Sequence, residues 1–165
     1  MARAPKSELL GSNDAAVTLG PGPVESHVKL AKAPLEAVAA SYTRDAMAPD
    51  KPGEPDRIFL KLHNIRGNQG ACMFDVSISV PGGAGQGFPV GSLALFGLEH
   101  ASKRGSAHGG SGLTKTIEIT QAADQHLPEL AKARDLVVTI TPRGILRPGD
   151  KITVDQISLY RLSGQ

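Results

Sequence analysis

The stretch Met73-Phe74-Asp75-Val76-Ser77-Ile78-Ser79-Val80 decides the fold class. Its apolar residues Phe74, Val76, Ile78 and Val80 alternate with Asp75, Ser77 and Ser79, and successive side chains of an extended chain point to opposite faces. One face is therefore buried and the other wet, as in a strand of an antiparallel sheet. The same period of two recurs at Ile58, Leu60 and Leu62, at Leu136, Val138 and Ile140, and within Leu113 to Ile119, where Ile117 and Ile119 share a face. The apolar run Gly91-Ser92-Leu93-Ala94-Leu95-Phe96-Gly97 and the stretch Lys151 to Arg161 read as two more strands. Strands with one apolar face need a second layer to cover them, so the chain is expected to be all-β: an antiparallel, jelly-roll-like β-sandwich of about seven to eight strands with short helical turns.

In the last of these strands Ile152 and Val154 have one parity, Ile157 and Leu159 the other. A regular strand would turn half of them to solvent, and an extra residue near Asp155 or Gln156, a β-bulge, restores the phase. Gln121 to Arg134 has the composition of one or two helical turns interrupted by Pro128.

Toward the N-terminus the texture changes. Residues 1–56 are rich in alanine and proline and read as a linker segment with one or two short strands, Ala15 to Leu19 and Ser26 to Leu30, around the turn Gly20-Pro21-Gly22-Pro23. Leu35 to Met47 reads as a marginal helix, followed by Pro49, Pro52 and Pro55. Residues 57–165 are the expected sandwich domain. A chain of 165 residues has room for one domain with a single core, and its 19 glycines and 12 prolines suit many turns and short elements.

Charged residues make up 21% of the chain and the formal net charge is +2, which fits neither a disordered polyelectrolyte nor a binder driven by phosphate contacts. Cys72 is the single cysteine, so an intrachain disulfide, a CxxC redox site and a cysteine-based zinc site are all ruled out. No apolar run approaches the roughly 20 residues of a membrane span, and Met1-Ala2-Arg3-Ala4-Pro5-Lys6 lacks the apolar core of a signal peptide. Neither nucleic acid nor a membrane is expected as a partner, and the cellular location is left open.

Several motifs invite chemistry. His108-Gly109-Gly110-Ser111-Gly112 resembles a nucleophile elbow, but the elbow needs glycine two residues after the serine, where Leu113 stands, and a helix rather than a strand must follow. Pro81-Gly82-Gly83-Ala84-Gly85-Gln86-Gly87-Phe88-Pro89 has neither dinucleotide nor P-loop spacing and reads as a surface loop. Its oddity is Phe88, one of six aromatic residues, which either folds back onto the core or is offered to a partner. His27, His63, His100, His108 and His126 lie in different segments without paired ligand spacing and read as scattered, solvated side chains. Cys72 reads as a small buried hydrophobe.

Six stretches in order, Arg57-Ile58-Phe59-Leu60, Phe74-Asp75-Val76, Gly91 to Gly97, His108 to Leu113, Val138-Thr139-Ile140-Thr141-Pro142-Arg143 and Ile157-Ser158-Leu159-Tyr160, resemble the C-terminal domain of polyphenol oxidases and bacterial tyrosinases. Plant members mark that domain with Lys-Phe-Asp-Val, and here Met73 stands at the lysine's place. The segment Glu8 to Leu30 is similar to the stretch that joins the copper domain to this one in bacterial members. The family's dicopper centre needs six histidines on a four-helix bundle, which this chain lacks, so the resemblance implies a domain without enzymatic activity or a cofactor of its own. It implies a β-sandwich that covers the dicopper site of a catalytic domain, on the same or a separate chain, and keeps the oxidase latent or assists its maturation. The copper-delivering CxxC of some fungal members is absent. Phe88, on its glycine loop, is the candidate for a bulky side chain inserted into that site. The alternative function is an independent β-sandwich binding module for a protein or glycan.

Overall fold

In the computed structural model, residues 6–31, 56–69, 71–82, 87–105, 110–147 and 149–163 are described. The helix expected over 35–47, most of the proline-rich stretch after it, and the loop tips at 83–86 and 106–109 lie outside them. Nine strands form: β1 (Ser7–Ser12), β2 (Val17–Leu19), β3 (Val24–Leu30), β4 (Arg57–Gly67), β5 (Met73–Ser79), β6 (Phe88–Ala94), β7 (Leu113–Glu118), β8 (Asp135–Arg143) and β9 (Ile152–Leu162). Among the described residues three short helices accompany them: α1 (Leu98–Ser102), α2 (Thr120–Gln125) and α3 (Leu127–Leu130). Pro128 falls in the first turn of α3, where its missing N–H costs nothing.

All ladders are antiparallel, in the order β6-β5-β8-β3-β1-β9-β4-β7, with β2 also paired to β9. The row divides at β1 and β3, which share only Gly11↔Leu30 and Ser12↔Lys29. Its two halves face each other over one core, and at the far edges β6 approaches β7: a Cβ on Gly91 would stand 2.8 Å from Ile117 Cγ2. The result is a sandwich close to a closed barrel. The six residues chosen from alternation, Phe74, Val76, Ile78, Leu136, Val138 and Ile140, are all buried to 2% exposure or less. Pro89 is accommodated because β6 is an edge strand, and Val90 is an extra residue in its ladder with β5.

The phase problem in β9 is solved in an unexpected way. Ile152, Val154, Ile157 and Leu159 all face the core. The ladder with β4 nevertheless runs without slippage, from Arg57↔Leu162 to Gly67↔Ile152. Strand β4 makes the same parity change opposite, from buried Leu62 to buried Ile65, through Asn64 with φ 50°. The irregularity is thus shared by two strands, and the unequal count appears only against β7, where His63 and Asn64 oppose one residue. On the other side of β9, Asn13 fills the break between β1 and β2. Ile157 N–H donates to its Oδ1 at 2.8 Å, and its Nδ2 donates to the Ala15 carbonyl at 2.8 Å and to Ser26 Oγ at 3.1 Å.

Before residue 56, where a linker segment with one or two short strands is expected, the described residues hold three strands. Strands β1, β2 and β3 are integral to the barrel, paired to β9 and β8 over the lengths of those strands. Strand β1 escapes an alternation test because Leu10 is an extra residue in its ladder with β9, so exposed Leu9 and fully buried Leu10 stand side by side in sequence.

Candidate functional site

The strand directions define two ends. At the lower end lie Lys6, Ala31, Asp56 and Ser163: Ser163 N–H donates to the Lys6 carbonyl, Ala31 N–H to the Leu10 carbonyl, and Asp56 pairs with Arg161 at 2.5 Å. Helices α2 and α3 sit here too. At the upper end lie the loops β4–β5, β6–α1 and β8–β9 together with α1, whose Ser102 hydroxyl accepts from Gly67 N–H at 3.0 Å.

Phe88 belongs to the lower end. It opens β6, opposite Ile78, and its half-buried ring stacks on His126 with centroids 3.9 Å apart and planes at 6°. It also lines an apolar cavity of about 20 Å³ with Leu10, Ile58, Ile78, Ala123 and Leu136, about the space of one water molecule but without polar partners to hold one. In the chain without a partner, Phe88, the candidate for a side chain inserted into a copper site, packs against this domain's own core. The glycine loop ends before it, and ladder pairing fixes its backbone.

The four described histidines do not converge. His27 and His100 are exposed on β3 and α1, His63 lies on β4, His126 stacks on Phe88, and His108 is outside the described residues. Among the described residues no three His, Cys, Asp or Glu side chains are grouped to hold a metal ion. His63 Nε2 is 2.6 Å from the buried Ser158 Oγ. Burial, and secondarily the Lys61 charge, hold the His63 pKa below the usual imidazole range. Ser158 is 1% exposed and cannot act as a nucleophile on an outside substrate. Ser111 does precede a strand, β7, as its surroundings in sequence require. Cys72 is half-buried against the core, and burial, with Asp150 second, raises its thiol pKa.

Two surfaces remain. Across the outer face of β1, β9 and β4, Leu9, Tyr160 and Phe59 form one row by register. Arg57 lies over Phe59 at 5.1 Å while bonded to Glu118, and Lys61 lies over Tyr160 at 5.8 Å. At the upper end, Phe96 is 66% and Ile145 97% exposed, the two most exposed large apolar residues described. Each adjoins a left-handed glycine, Gly97 at φ 73° and Gly144 at φ 107°. A side chain at either glycine would be strained, so these turns are built to direct the chain and present their neighbours outward. The sequence signal was available in the pairs Phe96-Gly97 and Gly144-Ile145. It is hidden by the apolar run from Gly91, which continues past the end of β6 at Ala94.

No described helix is long and apolar enough to cross a membrane. The fold is similar to that of latent apple tyrosinase, at 15% identity and a TM-score of 0.50, over 90% of this chain and 27% of that one. It is equally similar to a recombinant latent aurone synthase, a polyphenol oxidase co-crystallised with hexatungstotellurate(VI), at 16% identity and a TM-score of 0.50, over 90% of this chain and 26% of that one. At such identities the likeness shows the fold, and the chain spans about a quarter of the length of those oxidases. No curated protein matches the chain in sequence. A family model described as a domain of unknown function, DUF7868, matches residues 6–162, and the chain belongs to that family.

Proposed function

We propose that this domain is a shielding domain for a tyrosinase or polyphenol oxidase-type copper oxidase, itself without catalytic activity, which covers the dicopper site of its catalytic partner. The supporting observation is that the barrel, from β1 to β9, shares its fold with a quarter of two oxidases, both in their latent form. In physical terms such a domain inhibits only to the extent that its docked state outweighs substrate access. Attachment to the partner favours docking by holding the local concentration in about the millimolar range. The chemistry stays with the partner's copper ions, and the residues of this chain supply a rigid frame and a contact surface.

Titration of the full chain into its cognate copper domain tests this reading. The rate of diphenol oxidation falls and saturates with added chain at unchanged copper content, and acid or mild detergent restores it. A rate that does not respond removes the assignment. A second reading, an independent binding module, draws on the Leu9–Tyr160–Phe59 row, since aromatic rings on a sheet face suit flat ligands or a protein surface. In that case substitution of Tyr160, and not the presence of a copper domain, governs what the chain does.

A further inference from the structure

We infer that the upper end of the barrel is the docking surface, and that its occupant is a face of the oxidase partner with an apolar depression rimmed by carboxylates; this rests on the shielding reading. Three observations lead there. First, β6 and β8 flank β5, and Phe96 and Ile145 each stand two residues past strand ends paired through Met73. The strand ends Ala94 and Arg143, on either side of Met73, are therefore about 10 Å apart, which puts the two turns that follow them at the same end of the barrel. Large apolar side chains at 66% and 97% exposure on neighbouring tight turns have the placing of interface anchors.

Second, the surrounding charge is unbalanced. Among the described residues Glu99 is paired with Lys103, Asp75 with Arg143 and Asp155 with Arg66, while Asp150 accepts from the Arg147 backbone N–H and keeps its charge. The exposed side chains of Arg104, Arg147 and Lys151 have no such partner among the described residues. Unpaired cations at the same end as two exposed apolar side chains are complementary to carboxylates beside an apolar depression, and such complementarity steers docking and fixes its register. Third, the segment ends Lys6, Ala31, Asp56 and Ser163 all lie at the lower end. The side face with Leu9 differs, since both of its cations are already engaged over rings.

The test uses the full chain, its cognate copper domain and a diphenol, with Phe96→Ser, Ile145→Ser, the double variant, and Arg147→Glu with Lys151→Glu. The double serine variant raises the half-inhibiting concentration about tenfold or more, the charge reversal weakens inhibition likewise, and added salt weakens the wild type. All keep the wild-type melting temperature because the side chains are exposed. Leu9→Ser, on the side of the barrel, inhibits as the wild type does. Serine and charge variants that inhibit as well as the wild type overturn the docking surface while leaving the shielding reading in place. A wild-type chain that does not inhibit overturns the shielding reading itself. A wild-type chain that sediments as a dimer, dissociated by Ile145→Ser, assigns this end to a second copy and also overturns the inference.

Discussion

Phe88→Ala in the chain without any partner separates a core role from an inserted one. The Phe88 ring is half-buried, stacks on His126 at 3.9 Å and borders an existing cavity of about 20 Å³. Truncating a fully buried phenylalanine costs about 3–5 kcal/mol, and an aromatic stack adds about 0.5–1.5 kcal/mol beyond area. Half burial reduces the first figure, and the enlarged void prevents full recovery, so the expected cost is about 2–3 kcal/mol. For a domain of this length that lowers the melting temperature by about 5–10 °C. Differential scanning calorimetry of the wild type, Phe88→Ala and Phe88→Leu at one pH reads it directly. Phe88→Leu, which refills most of the volume without the stack, falls in between. A melting temperature for Phe88→Ala within about 1 °C of the wild type would show that the ring contributes nothing to its own domain and would restore it as a side chain offered to a partner.

Asn13→Ala removes three hydrogen bonds and strands the buried Ile157 N–H, so urea unfolding shows a loss of about 2–4 kcal/mol; an unchanged midpoint would mean that β9 does not depend on that side chain. The His63 pKa is lowered in the folded state, so the unfolded chain binds the proton more readily. Stability is then fully present above the ordinary imidazole pKa of about 6.5 and declines as pH falls through that value and below it. His63→Gln flattens the urea midpoint between pH 7.5 and 5.5, on the order of one titrating group, and an equally steep decline in the variant refutes this. A single proteolytic cut between Ala31 and Asp56 leaves the two pieces together on gel filtration, because β1–β3 are held by β8 and β9; separation of the pieces without denaturant contradicts that account.

Strands β4, β5, β7 and β8 were legible because each buries one face, and alternation reports that directly. Strand β9 was legible only as a contradiction between Val154 and Ile157, and its resolution through Asn64 on the neighbouring strand is a tertiary matter that no single segment shows. Strand β1 was hidden for the same reason, since the extra residue Leu10 breaks its period. The three-residue β2 and its neighbours resemble a linker in composition, yet the ladder with β9 makes them part of the domain. Phe88 was conspicuous in sequence because of the glycines before it, while its packing on His126 depends on a residue 38 positions away. Phe96 and Ile145 carried a local sign, a glycine on one side of each, but their common end follows only from the pairing of β6, β5 and β8.

The most direct measurement of the central claim compares one polypeptide that carries both the copper domain and this barrel with the same copper domain alone, at equal copper content. With the barrel attached, kcat/KM for a diphenol is at least about tenfold lower, because attachment keeps the docked state populated. Mild detergent brings the two values together. Equal kcat/KM in the two proteins before any treatment would contradict the shielding function.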